Sequence, residues 1–139
     1  MTTTKTFEIL FVDDNSDFRG TNIDRLAQEG FTVTAAAGAK EAGELIGTKN
    51  FDLIITDLEM ENPDSGFTLA YHIKKQRPDL PIIIVSSANS KYGLDFSMSS
   101  ESERRWMKCD ALLPKPVRFE QLLSETNRLL GIETVHSYH

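Results

Sequence analysis

Apolar residues along this chain fall into short unbroken runs separated by stretches with helical spacing. Three runs are near-continuous: FEILFV (Phe7–Val12), FDLIIT (Phe51–Thr56) and PIIIVS (Pro81–Ser86). Two weaker ones are FTVTAA (Phe31–Ala36) and DALLP (Asp110–Pro114). Continuous rather than alternating runs are the mark of strands covered on both faces, as in a parallel sheet. The intervening segments predict helices. SDFRGTNIDRLAQEG places Phe18, Ile23 and Leu26 on one side and sets Gly30 as the residue after the C-cap. AKEAGELIGTK is a short, weak helix with Gly43 inside it. GFTLAYHIKKQRP carries Leu69, Ala70 and Ile73 and is closed by Pro78; RFEQLLSETNRLLG carries Phe119, Leu122, Leu123 and Leu129, with Gly131 after its last turn. Strand and helix alternate, which predicts an open α/β sheet with right-handed crossovers.

One segment breaks the rhythm. Ala88 to Cys109 begins rich in Ser, Gly and Asn and reads as loop. SESERRWMKC then offers Ser100 or Ser102 as N-cap before acids in a first turn, so a short helix is expected there. The last residues form a polar tail, 131–139, and no internal repeat is present.

Composition narrows the picture. The chain has 139 residues, enough for one domain with a single core. Its 40% hydrophobic and 26% charged residues are ordinary for a globular protein. Ile82 to Val85 is the longest aliphatic run and far too short to span a bilayer, and MTTTKT lacks the apolar core of a secretory signal. A net charge of −6 with a pI near 5.0 argues against a nucleic-acid backbone as the main partner. The single cysteine, Cys109, excludes an internal disulfide, and a cytoplasmic, membrane-free location is the expectation.

In open α/β sheets chemistry gathers at the carboxyl ends of the strands. Here those ends carry Asp13-Asp14, then Asp57, then Ser86-Ser87, then Lys115. Each alone has a bland explanation, a solvated turn or a surface lysine; all four strand ends filled this way do not. Two carboxylates about 4 Å apart repel by roughly 4 kcal/mol at an effective dielectric of 20. Three therefore need a counter-charge, which a hard divalent cation such as Mg²⁺, supplemented by Lys115, would supply. One carboxylate could then attack a phosphorus centre to give an acyl phosphate, with Ser86 donating to a phosphoryl oxygen. The set is that of a phospho-accepting site.

The motifs ILFVDDN, DLIITDLEM, PIIIVSSA and LLPKP, with their spacing, resemble those of bacterial response-regulator receiver domains over about Phe7 to Leu130. The resemblance implies a flavodoxin-like, doubly wound five-stranded parallel sheet in a single domain, residues 7–130. It implies that Asp57 is the phospho-acceptor, taking its phosphoryl group from a histidine kinase or histidine phosphotransfer protein. It also implies Mg²⁺ held by Asp14, Asp57 and the main-chain carbonyl of Glu59, with Asp13 helping through water. Ser86 stands at the position that closes on the phosphate and Lys115 at the family's lysine, followed in most such domains by a cis bond to Pro116 that aims it inward.

The sequence departs from that pattern in four places. In MENPDSG the proline, Pro63, is displaced and Gly66 arrives one residue late, so the loop after the third strand is reshaped. Leu112 replaces the usual switching aromatic three residues before the lysine. The span from Ser86 to Lys115 is several residues longer than typical, consistent with an insertion that is either a tolerated surface loop or a partner-specific face. The positions that tune dephosphorylation in the family hold Glu59 and Ala88 here, and this pair predicts no lifetime for the acyl phosphate.

Other residues carry ordinary readings. His72 is expected to be exposed, His136 and His139 lie in the tail, and none has metal-ligand spacing. Cys109 is expected to pack near the fifth strand, and Trp106 is either a buried anchor or a contact residue. Lys74, Lys75 and Arg77 read as a solvated helix end.

The functional expectation is a non-enzymatic receiver, stand-alone or cut from a longer regulator, that passes the phosphoryl group on or switches binding to a downstream protein. Two alternatives stand beside it. One is a receiver-like interaction module that needs no phosphate, motivated by Leu112. The other is a Mg²⁺-dependent phosphatase of the haloacid-dehalogenase type, disfavoured because Glu59 stands where that family favours an Asp. Homodimerisation through the face around Leu112 and Trp106 is a further option that no pattern supports.

Overall fold

A computed structural model describes residues 6–62, 64–87 and 108–132. The expected short helix around Trp106, the displaced Pro63, Ala88 and the two tail histidines lie outside these residues. The described elements run β1 (Glu8–Val12), α1 (Ser16–Gln28), β2 (Thr32–Ala36), α2 (Ala39–Thr48), β3 (Leu53–Asp57), α3 (Ser65–Gln76), β4 (Ile82–Ser87), β5 (Ala111–Lys115) and α4 (Phe119–Leu130). The five strands form one sheet in the order β2-β1-β3-β4-β5, every pair parallel. This is the open α/β sheet the alternation predicts, in the doubly wound five-stranded form the resemblance implies.

The strength of each apolar run follows its place in the sheet. The three near-continuous runs became the central strands β1, β3 and β4, and all five residues of β3 are buried. The two weaker runs became the edges β2 and β5, whose residues are only partly covered. Alternating side chains feed two cores. Leu10, Val12, Ile54, Ile82 and Ile84 pack with Ala42 of α2 and Leu69, Ala70 and Ile73 of α3. On the opposite face Ile9, Phe11, Ile55, Ile83 and Val85 pack with Leu26 of α1 and Phe119 and Leu122 of α4. Cys109 is buried in the first of these cores, as expected.

Helix ends follow local chemistry. Asn15 caps α1, its side chain accepting from the Phe18 N–H at 3.0 Å. Gly30 follows the C-cap of α1 at φ +99° and Gly131 closes α4 at φ +71°, left-handed positions that favour glycine. α3 ends at Gln76, before Pro78. α2 is the exception. Gly43 and Gly47 lie inside it, each costing up to about 1 kcal/mol relative to Ala, and its N-cap, Gly38, makes no side-chain hydrogen bond.

The basic run in α3 is not the solvated helix end expected from sequence. Lys74 Nζ lies 2.8 Å from Asp110 Oδ2, which also accepts from the Ile82 N–H at 2.8 Å, so the pair ties α3 to the entrances of β4 and β5. Arg77 donates to the Phe51 carbonyl at 3.2 Å. Lys75 lies over the ring of Tyr71, and His72 is exposed, as expected.

Because Ile83 is fully buried on a central strand, Ile83→Ala is expected to lower unfolding free energy by about 2–5 kcal/mol in urea titrations. Leu112→Ala, at a half-buried position on edge strand β5, is expected to cost less than that.

Candidate phospho-acceptor site

Parallel pairing aligns the carboxyl ends of the strands, and this alignment assembles the site. β1 runs into Asp13, whose N–H donates to the Ala36 carbonyl at 3.1 Å and so continues the ladder one residue past the strand. Asp57 ends β3, paired in register with Val85 of β4, and Lys115 ends β5, paired with Ser87. Asp13 and Asp57 are both buried, whereas Asp14 is exposed on the rim. One carboxylate oxygen from each of Asp13, Asp14 and Asp57 can be chosen so that all lie within 4.8 Å of one another. The sequence-predicted acids therefore do converge.

Lys115 spans the two buried acids. Its Nζ is 3.3 Å from Asp57 Oδ1 and 3.4 Å from Asp13 Oδ2. The Lys115-Pro116 peptide bond is cis, as the resemblance implied. Asp13 is further fixed by the Asn15 N–H, which donates to Oδ1 at 2.8 Å, and its carbonyl accepts from Arg19 at 2.6 Å. Among the described residues, Lys115 is the one cation in ion-pair contact with these three carboxylates, which leaves their negative charge in excess. Burial foremost, and Asp13 beside it, push the Asp57 carboxyl up to about 6 from the ordinary 3.8, against the opposing pull of Lys115. A carboxylate raised in this way is short of positive charge, and the donors around it are hard oxygens. That set fits Mg²⁺ better than a softer ion.

Two predicted residues occupy less direct places. Glu59 lies half-buried on the rim, two residues beyond Asp57. Ser86 is fully buried one position past Val85, and strand alternation puts it with Ile82 and Ile84 on the face opposite Asp57. Its hydroxyl donates to the Ser87 carbonyl at 3.4 Å and not to the acids.

Two site neighbours escaped the sequence reading. Phe18 holds its ring 4.6 Å below Lys115 Nζ and packs tilted against Phe11, with centroids 6.1 Å apart. A cation over an aromatic face is worth about 0.5–2 kcal/mol, so the ring helps hold the ammonium over the acids. The only signal in sequence was an aromatic one helical turn beyond Asp14. Gly66 is the second: a Cβ there would lie 2.6 Å from the Asp57 carbonyl oxygen and 2.7 Å from Leu58 Cα. Its N–H donates to the Leu58 carbonyl at 2.7 Å, so α3 starts in direct backbone contact with the end of β3. Gly66 was noted for arriving late; the reason a glycine is needed there is this close approach.

A model of the response regulator receiver domain matches residues 9–127. The DNA-binding transcriptional regulator NtrC of Azospirillum brasilense is 32% identical over 91% of this chain, which corresponds to 24% of that protein. The NtrC of Bradyrhizobium is 30% identical over 88% of the chain, again 24% of its own length, so the chain spans about a quarter of these relatives. Among solved structures, TrrA of Thermotoga maritima in complex with Mg²⁺ and BeF is 30% identical at a TM-score of 0.73, covering 89% of this chain and 99% of that one. A CheY-like receiver domain protein from Methanospirillum hungatei is 26% identical at a TM-score of 0.78, covering 91% and 95%.

The raised Asp57 gives a pH signature. Between the unfolded value of 3.8 and the folded value of about 6 the folded chain binds more protons than the unfolded one. This contribution to stability is full below about pH 4 and is lost as pH rises through 6, a fall of roughly 3 kcal/mol. In urea titrations without divalent cations, Asp57→Asn is expected to remove that part of the pH dependence and to exceed the native chain in stability at pH 7.5. Parallel pH profiles for the two proteins would contradict the assignment.

Proposed function

The chain belongs to the response regulator receiver domain family, a family of signalling domains, and from that premise we propose that Asp57 is its phospho-acceptor. The observation that carries the proposal is the buried Asp57 carboxylate set between Asp13 and Asp14, with Lys115 Nζ at 3.3 Å. Asp14, Asp57 and the main-chain carbonyl of Glu59 would hold Mg²⁺, with Asp13 acting through water. When bound, the cation neutralises charge on the equatorial oxygens of a transferring phosphoryl group.

The residues of the chain do the rest. An Asp57 carboxylate oxygen forms the new bond to phosphorus while the bond from phosphorus to the donor breaks, its electron pair leaving with the donor. The donor is a histidine kinase or a histidine phosphotransfer protein, whose phosphorylated imidazole is then released neutral after taking up a proton. Lys115 exchanges its contact with Asp57 for one with a phosphoryl oxygen. Phe18 keeps the ammonium nearby through that exchange, and Asp13 anchors its other side. The reaction is a transfer to the protein itself, so the chain is a switch rather than a catalyst acting on a separate substrate.

Phosphorylation brings about −1.5 to −2 charge to a site already short of cations. Ser86 would respond by turning its hydroxyl from the Ser87 carbonyl toward the phosphoryl group, moving the end of β4. The signal then reaches a downstream protein through the loops at this edge. With Leu112 half-buried and packed against the α2–α3 core, no aromatic rotamer at that position takes part. No described helix is long and apolar enough to cross a membrane, and a cytoplasmic site of action fits the proposed partners.

Intact mass after incubation with acetyl phosphate and Mg²⁺ tests the assignment. The native chain should gain one phosphoryl group and Asp57→Asn none, with the gain abolished by a chelator. Equal uptake by Asp57→Asn would move the acceptor elsewhere. Phe18→Leu is expected to slow uptake by about 2- to 30-fold, the kinetic equivalent of the cation–aromatic contact, and Phe18→Tyr to restore it.

A further inference from the structure

The loop between β3 and α3 is fastened to α2 by one side chain. Glu61 directs both carboxylate oxygens at the start of that helix: the Ala39 N–H donates to Oε1 at 3.0 Å and the Lys40 N–H to Oε2 at 3.1 Å. These are two of the amides that a helix start leaves without a partner in its own backbone. Their hydrogen bonds, that of Ala39 foremost, hold the Glu61 carboxyl below the usual range.

Gly38 makes the approach possible. Its φ of −172° and ψ of 178° are plain extended backbone, open to any residue. Space is what glycine contributes, since a Cβ would lie 2.6 Å from Glu61 Oε2, 2.8 Å from its Cδ and 3.0 Å from Oε1. The loop's far end is equally constrained by Gly66 against the Asp57 carbonyl. Between them, the Asn62 N–H donates to Ser65 Oγ at 2.8 Å, and the Met60 N–H to the Asn62 carbonyl at 3.1 Å. Glu59, whose carbonyl is a proposed metal ligand, thus lies between Asp57 and a side chain clamped to a neighbouring helix.

We propose that Glu61 is a positioning residue for the metal site: seated on the α2 N-terminus in the space left by Gly38, it holds the β3–α3 loop so that the Glu59 carbonyl is presented to the cation. The inference rests on the metal reading given above. It adds that the start of α2 and the occupancy of the site are coupled, through a residue in the stretch where Gly66 arrives one position late. Coupling of this kind is reciprocal: what the latch does for the cation, the cation does for the latch.

The test is a Mg²⁺ titration of the full chain followed by amide NMR, on the native protein, Glu61→Ala, Gly38→Ala and the double variant. Native amides around Asp14, Asp57 and Glu59 should shift saturably. Glu61→Ala should weaken Mg²⁺ binding by about 3- to 10-fold, the range expected for losing a charged contact at a helix start. Gly38→Ala, which leaves the carboxylate in the chain but fills its seat, should weaken binding in the same direction, and the double variant should be no weaker than Glu61→Ala alone. In the native chain Mg²⁺ should also slow amide exchange at Ala39 and Lys40 by a comparable factor, and in Glu61→Ala it should not. If the native chain binds Mg²⁺ and all variants bind it equally, with only thermal stability reduced, Glu61 is no more than a cap for α2 and the inference is overturned. If the native chain shows no saturable response, the metal reading itself falls, and this inference with it.

Discussion

Everything at the carboxyl edge of the sheet is arranged around an unbalanced charge. Three acids converge where the parallel strands end, and a single ammonium, Lys115, sits between the two that are buried. Burial makes the imbalance worse, because it removes the water that would screen Asp13 from Asp57. Neighbouring features act on the same problem. The Asn15 N–H steadies Asp13, the Phe18 ring keeps the ammonium in place, and Gly66 lets α3 begin against the Asp57 backbone without moving it. The fold holds an arrangement that it does not itself neutralise, which is the condition for a ligand or modification to have large effects there.

Much of the architecture was legible because burial on both faces leaves a plain record. The central strands β1, β3 and β4 are unbroken apolar runs over Ile9–Val12, Leu53–Ile55 and Ile82–Val85, and turn polar only at their ends. β2 and β5 are edges, so one flank of each is released from that demand and their runs read as weak. α2 also read as weak, correctly so far as its short length and interior glycine go. Its start is held locally by Glu41, which accepts from the Ala37 N–H at 2.7 Å, and from afar by Glu61, a residue 22 positions from Ala39. A reading of local pattern has no access to a partner at that distance.

The site shows the same division. Asp13, Asp14, Asp57 and Lys115 were found by asking what stands at each strand end, a question that topology alone answers. Ser86 was placed at the right strand end, where its fully buried hydroxyl donates to the Ser87 carbonyl. The α3 basic run was misjudged. Lys74 is held by Asp110, across a sequence separation of 36 residues, and nothing in the run Lys74–Arg77 reveals that tie.

The pairing of Gly38 with Glu61 has a consequence for heredity. Gly38 has no side chain with which to cap α2, and Glu61 supplies carboxylate acceptors to that helix start from the β3–α3 loop. Each is tolerable because of the other, so neither travels well by itself. A chimera that takes its β3–α3 loop from a relative without an acid at position 61 would inherit an α2 with an empty seat at its start. One that takes α2 from a relative with a bulkier residue at position 38 would displace the carboxylate. Recombination breakpoints between residues 38 and 61 should therefore be less well tolerated in this chain than breakpoints that keep the two together.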